Sequence, residues 1–188
     1  MRVYLPATLA MLMQLNTDGE FRPLGGTGFA LTPALREAFV SGDDEELSEV
    51  ALREAARASL RLLAGEAPET GDTDTDNELA ADEATTGPGE TSSLPPRRVV
   101  VAADVESVTP RPDLDDAVVK VAGPIPLSAI ASVHVDVAEA EPKVRAAVVV
   151  IDAADMGDLD AELAVGDVED FDLAWYATQE LPFLLELL

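Results

Sequence analysis

Four carboxylates of the sequence have the spacing of a calcium-binding loop. Asp72, Asp74, Asp76 and Glu83 occupy positions 1, 3, 5 and 12 of a 12-residue stretch, and oxygen ligands at these intervals can surround a hard cation. Proline and glycine residues precede and follow the stretch, so no helix is predicted to enter or leave it. These four residues are our candidate metal ligands. The alternative is that the spacing arises by chance in an Asp-rich segment.

Two other groups of acids offer a different chemistry. The first is Asp113, Asp115 and Asp116, and the second is Asp152, Asp155, Asp158, Asp160 and Glu162. Such carboxylates can bind a divalent cation or act as a general acid and base. Nothing in their spacing separates this role from that of a solvated acidic surface, which we favour. A pocket into which both groups converge would support an enzyme.

The sequence lacks the residues that most other catalytic sites need. It has one histidine, His134, and no cysteine, so zinc sites of the Cys/His type and Ser/His or Cys/His triads have no support. The glycine-rich residues 24–28 lack the lysine of a phosphate-binding loop and are predicted to form a flexible loop. We therefore predict no catalytic residue and no cofactor.

The net charge is the most unusual global property of the chain. The formal charge at pH 7 is -25 and the isoelectric point is near 4.1. This charge repels nucleic-acid phosphates and anionic membranes, and it attracts cations and basic proteins. Nucleic-acid binding and membrane binding are therefore not expected. The charge either serves solubility or marks a surface for a basic protein partner.

The N-terminal region bears on localisation. Residues 5–15 are mostly apolar and follow Arg2, as in a signal peptide, but no small-residue cleavage site follows them and they are too few to span a bilayer. The lack of cysteine fits a reducing compartment. Together these features predict a cytoplasmic protein.

A change of composition divides the chain. Residues 66–96 contain nine acids, no lysine or arginine and few apolar residues. Such a segment cannot bury enough surface to offset the entropy lost on ordering, so we predict a disordered acidic linker. Residues 1–65 and 97–188 are then predicted to form one domain.

The elements on both sides of this linker predict an α+β fold. Residues 97–104 contain a run of five apolar residues, which is typical of a central strand covered on both faces. Residues 44–64 have the clearest amphipathic helical pattern. Residues 141–151 are predicted as a helix, although their last β-branched residues also fit a strand. We predict a mixed sheet of about five strands packed by about four helices.

Three arginines of the long helix have two interpretations. Arg53, Arg57 and Arg61 repeat every four residues and could form a basic recognition strip. Pairing of Arg53 with Glu49 and of Arg57 with Glu54 along the same helix favours a solvated face instead.

Four of the eight aromatic residues lie close together near the C-terminus. They are Phe171, Trp175, Tyr176 and Phe183. They either close the core or form an aromatic hot spot in a protein interface.

Four stretches of sequence carry a resemblance to a known family. They are residues 1–8 (MRVYLPAT), 53–57 (REAAR), 97–101 (RRVVV) and 173–176 (LAWY). Together they resemble an uncharacterised actinobacterial protein family of unknown function, on both flanks of the predicted linker. The resemblance implies a bacterial cytoplasmic protein, and it implies no activity, ligand or partner.

The function that we expect is a non-catalytic interaction or regulatory module with an acidic surface for a basic protein partner. One alternative is a small enzyme that depends on carboxylates and a divalent metal. The other is calcium binding through residues 72–83. The sequence does not specify an oligomeric state.

Overall fold

The computed structural model describes residues 1–66 and 94–188. The predicted linker lies outside these residues, except for Glu66 and residues 94–96. The strands are β1 (Arg2–Ala7), β2 (Glu20–Phe21), β3 (Thr27–Phe29), β4 (Val99–Asp104), β5 (Val108–Pro110), β6 (Val118–Val121), β7 (Ile125–Pro126), β8 (Ile130–Val135) and β9 (Ala174–Tyr176). The helices are α1 (Leu9–Asp18), α2 (Pro33–Ala38), α3 (Asp44–Glu66), α4 (Glu141–Asp155), α5 (Leu159–Glu169) and α6 (Leu181–Glu186).

The main sheet contains seven strands in the order β5-β6-β3-β1-β4-β8-β9, and β2 pairs with β7 in a small second sheet. Strands β3 and β1 lie between strands β6 and β4. Residues 1–66 and 94–188 therefore share one sheet. This arrangement confirms the predicted α+β fold.

The predicted central strand is confirmed as β4. It pairs with β1 on one side and with β8 on the other. Its residues Val99 to Ala103 are all buried, as expected for a strand covered on both faces.

The details of the sheet differ from the prediction. All strand pairs of the described residues are antiparallel rather than mixed, and the structure has more strands and helices than predicted. Strand β5 lies within a segment whose sequence predicts a loop. Two- and three-residue strands such as β2, β5 and β7 are too short for an alternating pattern to identify.

Helix starts follow the capping chemistry of the sequence. The hydroxyl groups of Thr8 and Thr32 accept hydrogen bonds from backbone N–H groups in the first turns of α1 and α2. Asp43 and Glu46 form a reciprocal capping box at the start of α3. The β-branched run at residues 148–150 is helical, because Val144, Ala147 and Ile151 keep a helical apolar stripe that is buried.

The sheet separates two apolar cores. Alternate strand residues point to opposite faces, so Val3, Leu5 and Val101 pack with α1 and α6, whereas Tyr4 and Val100 pack with α3. A third core lies between α3 and the helices α4 and α5. Helix α3 therefore lies between the sheet and the α4–α5 pair.

One hydroxyl group ties α3 to the two central strands. The fully buried Ser59 donates a hydrogen bond to the carbonyl oxygen of Ala7 (2.7 Å) and accepts one from the N–H of Val99 (3.0 Å). These backbone groups lie at adjoining ends of β1 and β4. Ser59 thus satisfies two polar groups that would otherwise be buried without a partner.

Replacement of Ser59 by alanine tests this connection. Ser59→Ala leaves the Ala7 carbonyl and the Val99 N–H without their partner, so we expect the free energy of unfolding to fall by about 1–3 kcal/mol. Urea denaturation measures the loss. Ser48→Ala on the same helix is the control and should change stability little; equal losses in the two variants would contradict the assigned role.

A buried ion pair fixes the start of β4. The side chain of Arg98 is 4% exposed and that of Asp136 is 0% exposed. The guanidinium donates to both carboxylate oxygens (2.9 and 2.8 Å), and the backbone N–H of Arg98 donates to Asp136 Oδ2 (2.7 Å). The guanidinium also donates to the carbonyl oxygen of Phe171 (2.8 Å). The pair therefore joins β4 to the end of β8 and to the chain before β9.

Removal of one partner is expected to be more damaging than removal of both. Asp136→Asn leaves the Arg98 charge buried without compensation, so we expect a loss of about 3–5 kcal/mol in urea denaturation. Adding Arg98→Met removes that charge, while the amide oxygen introduced by Asp136→Asn can still accept from the backbone N–H. The double variant should therefore regain much of the stability. A single variant as stable as the wild type would show that the pair is not needed.

No helix of the described residues combines the length and the apolar composition that crossing a bilayer requires.

Candidate functional site

The predicted calcium ligands Asp72, Asp74, Asp76 and Glu83 lie outside the described residues. Their role as metal ligands stays a prediction.

Three of the other predicted acids have separate structural roles. Asp113 pairs with Arg111, Asp115 accepts a hydrogen bond from the N–H of Ala117, and Asp158 caps α5. Within residues 1–66 and 94–188, no group of three or more His, Cys, Asp or Glu side chains is placed to hold a metal ion. The structure does not bring the two acidic groups into one pocket.

His134 is partly buried in β8. Burial lowers the pKa of His134, and the positive charge of Arg2 lowers it further. The Nε2 atom of His134 lies 3.1 Å from the hydroxyl of Ser132.

The glycine-rich residues 24–28 are joined to β6 by a side chain. Lys120 donates from Nζ to the carbonyl oxygen of Gly25 (2.8 Å). A Cβ atom on Gly28 would come within 2.6 Å of Val3. This glycine therefore allows strands to pack closely, and residues 24–28 form a 3-10 turn followed by the start of β3.

The arginines of α3 connect helices. Arg57 lies near Asp155, Glu162 and Glu169, with nitrogen to oxygen distances of 3.4, 2.9 and 3.8 Å. Arg61 pairs with Asp155 at 2.6 Å, and hydrogen bonding from Arg61 lowers the pKa of this carboxyl. The predicted solvated face is therefore wrong for Arg57, which is 19% exposed, whereas Arg61 is exposed as predicted. Both arginines hold the α4–α5 pair on α3. Sequence alone did not reveal the partners, because they lie about a hundred residues further along the chain.

Within α3 itself, only one of the two predicted pairs forms. Arg53 pairs with Glu49 at 2.6 Å. Arg57 turns instead to α4 and α5, so Glu54 does not gain the predicted partner. Glu54 is half-buried, and its pKa is raised by burial first and by the negative charge of Asp115 second.

Glu54 is expected to make stability depend on pH. Because its pKa is raised in the folded state, the folded protein binds the proton more tightly, and stability falls as pH rises through the two pKa values. Glu54→Gln imitates the protonated side chain. We expect this variant to be more stable than the wild type at pH 7 and equally stable below about pH 4.

Urea denaturation at several pH values measures this difference. Glu49→Gln is a control on the same helix, since Glu49 already has an arginine partner. A Glu54→Gln variant that is less stable than the wild type at pH 7 would contradict the inferred role of burial.

A small cavity and two open clefts lie among the described residues. A cavity of about 50 Å³ lies between α3 and residues 169–173 and is lined in part by Arg98; this volume admits only a few water molecules. Open clefts of about 360 and 350 Å³ flank Val121 and Pro124. The second cleft contains two carboxylates, Asp104 and Glu106, and Asp104 is paired with Arg2 at 2.8 Å.

The aromatic cluster is divided between core and surface. Tyr176 and Phe171 pack against apolar cores. Trp175 on the edge strand β9 is 60% exposed, and Phe183 on α6 is also exposed. The four residues therefore neither close one core nor form one buried cluster.

The most distinctive surface is acidic. Residues 146–188 contain eleven acids and no lysine, arginine or histidine. Seven of these acids are exposed and have no basic partner among the described residues. We call the five of them on α4, α5 and the adjoining turns the α4–α5 acidic surface: Asp152, Asp158, Asp160, Asp170 and Asp172.

Some acids of α4 and α5 lie at helix ends where negative charge is unfavourable. The C-terminal end of a helix carries partial negative charge and favours cations. The last turns of α4, α5 and α6 nevertheless contain no basic residue, and Asp167, Glu169 and Asp170 lie together at the end of α5. The negative charges of these acids therefore interact unfavourably with the dipole of α5. Asp158 and Asp160 differ, because they cap and begin α5.

The fold and this surface define an α+β protein with an antiparallel sheet and an acidic exterior. A family model described as a family of unknown function (DUF6912) matches residues 1–185, so the chain belongs to that family. This finding confirms the expected membership of a family of unknown function. Neither the curated proteins nor the solved structures contain a match to the chain.

Proposed function

We propose that the protein is a non-catalytic interaction module that binds a basic protein partner through the α4–α5 acidic surface. The observation that carries this proposal is the distribution of charge. Eight of the 37 acids and none of the 12 lysines and arginines lie in residues 67–93. The described residues thus have a formal charge of -17.

Ion pairing leaves few basic side chains without a carboxylate beside them. Ten of the twelve basic side chains lie within ion-pair distance of a carboxylate. The acids of the α4–α5 acidic surface are in no such pair among the described residues, and Arg145 on α4 is the one exposed basic residue of these helices that is also in none. Such a surface steers a basic partner toward it and repels acidic competitors.

Asp170 at the end of α5 gives further support. Asp167 and Glu169 beside it lie within ion-pair distance of Lys143 and Arg57, but Asp170 has no basic partner among the described residues. A residue that weakens its own helix without such a partner is the kind of local conflict that functional surfaces show. A positively charged partner would offset the repulsion between Asp170 and the helix end. We place the interaction in the cytoplasm of an actinobacterium, in keeping with the sequence resemblance.

A charge-matched comparison tests the proposal. The site variant carries Asp152→Asn, Asp160→Asn and Asp170→Asn. The control variant carries Glu37→Gln, Glu45→Gln and Glu106→Gln, which removes the same charge from other exposed acids. Each immobilised protein is exposed to an actinobacterial lysate at about 0.05 M and about 0.5 M salt.

We expect the wild type and the control to retain the same basic protein at low salt. The site variant should lose it, and high salt should release it from all three because screening weakens exposed charge pairs. Retention by the site variant, or no retained protein at low salt, would contradict the proposal.

A further inference from the structure

The outer face of α5 carries apolar side chains that the folded chain leaves uncovered. Leu159 and Leu163 are one helical turn apart, and they are 84% and 69% exposed. The opposite face of α5 is buried through Ala161, Val165 and Val168. Single exposed leucines are common on protein surfaces, but neighbouring ones in line on a helix indicate a contact surface.

Gly166 lies on the same outer face. It follows Leu159 and Leu163 at the i, i+4, i+7 spacing of one helix stripe. A Cβ atom at this position would meet no atom within 4 Å, and Gly166 is not among the glycines with positive φ. Neither packing nor backbone conformation in the free chain requires glycine here, and glycine weakens a helix relative to alanine. Close approach of another backbone is a physical reason for glycine at such a position.

Acids without a basic partner among the described residues lie at both ends of this stripe. Asp160 follows Leu159 at its start, and Asp170 lies one helical turn after Gly166 at its end. The acids along its sides are already paired within the chain, since Glu162 and Glu169 lie near Arg57 and Asp167 pairs with Lys143. A second copy of the chain would bring acid against acid across such a contact, which is unfavourable. The charge therefore selects an occupant that carries basic residues beside an apolar stripe.

We propose that the outer face of α5 docks an amphipathic basic helix of the partner. This inference rests on the proposed function and specifies its contact. Leu159 and Leu163 contact the apolar side of the partner helix, and Gly166 lets the two helix backbones approach. Asp160 and Asp170 pair with lysine or arginine side chains of the partner, as in helix recognition by an apolar face with a charged rim.

A synthetic peptide tests this inference on the full chain. The probe is a leucine–lysine peptide of about 15 residues in amphipathic helical order, and the control is the same composition in scrambled order. Titration calorimetry gives the affinity, and circular dichroism reports whether the peptide becomes helical on binding. We expect the ordered peptide to bind and become helical, and the scrambled peptide to bind at least about tenfold more weakly.

Removal of the apolar contact should weaken binding selectively. The variant Leu159→Gln with Leu163→Gln is expected to bind the ordered peptide at least about tenfold more weakly. The control variant Leu24→Gln with Leu114→Gln changes two exposed leucines elsewhere and should bind as the wild type does.

The glycine provides a readout that separates binding from folding. Gly166→Ala should raise the thermal unfolding midpoint, because alanine favours the helix, and yet weaken peptide binding. Gly65→Ala is the matched control, since Gly65 is also helical and open to solvent. It should not lower the midpoint and should leave the affinity unchanged.

The following outcomes would overturn the inference. Absence of binding, equal binding of the two peptides, or unchanged affinity in the Leu159 and Leu163 variant would show that this face is not the docking site. Sedimentation that reveals a dimer which the same variant dissociates would identify a second copy as the occupant. The lysate comparison stands apart: if its partner is lost from the acid variant while the leucines prove irrelevant, the proposed function survives and this inference falls.

Discussion

The pairing of β1 with β4 is the constraint on which the other contacts depend. Six residue pairs join the two strands, from Arg2 and Asp104 at one end to Ala7 and Val99 at the other. These strands lie next to each other within the seven-stranded sheet and supply residues to the cores on both of its faces. Ser59 fixes α3 to one end of this pair, and α3 in turn supports α4 and α5. The position of the acidic surface thus follows from a strand pairing formed by residues about a hundred positions apart.

The fold also determines how charge is distributed. Arginine forms planar bidentate pairs with carboxylates, and the structure uses it in this way at Arg98, Arg61 and Arg2. Each such pair neutralises a carboxylate where two elements meet. Ten of the twelve basic side chains lie beside a carboxylate, either at such a junction or within one element. The acids of the α4–α5 acidic surface are left without a basic partner among the described residues.

The features that could be predicted from the sequence are those that local patterns encode. The α+β class, the central strand and the caps at Thr8 and Thr32 depend on periodicity and on short-range chemistry, and they could be read directly. The short strands, the all-antiparallel pairing and the partners of Arg57 depend on contacts distant in sequence, for which one sequence contains no signal. The Arg98–Asp136 pair was missed for the same reason. The outer face of α5 had a local signal, since Leu159, Leu163 and Gly166 share a helical stripe, but only the structure shows that this stripe faces outward.

The exposure of Trp175 determines what the intrinsic fluorescence of this protein can report. It is the only tryptophan of the chain, and it lies on the edge strand β9 rather than in a core. The indole ring is already largely solvated when the protein is folded, so loss of the cores alters its surroundings less than it would alter those of a buried ring. A molecule that covers the edge of the sheet alters them directly. The intrinsic fluorescence of this protein is thus a local probe of the β9 edge and a poor measure of global unfolding.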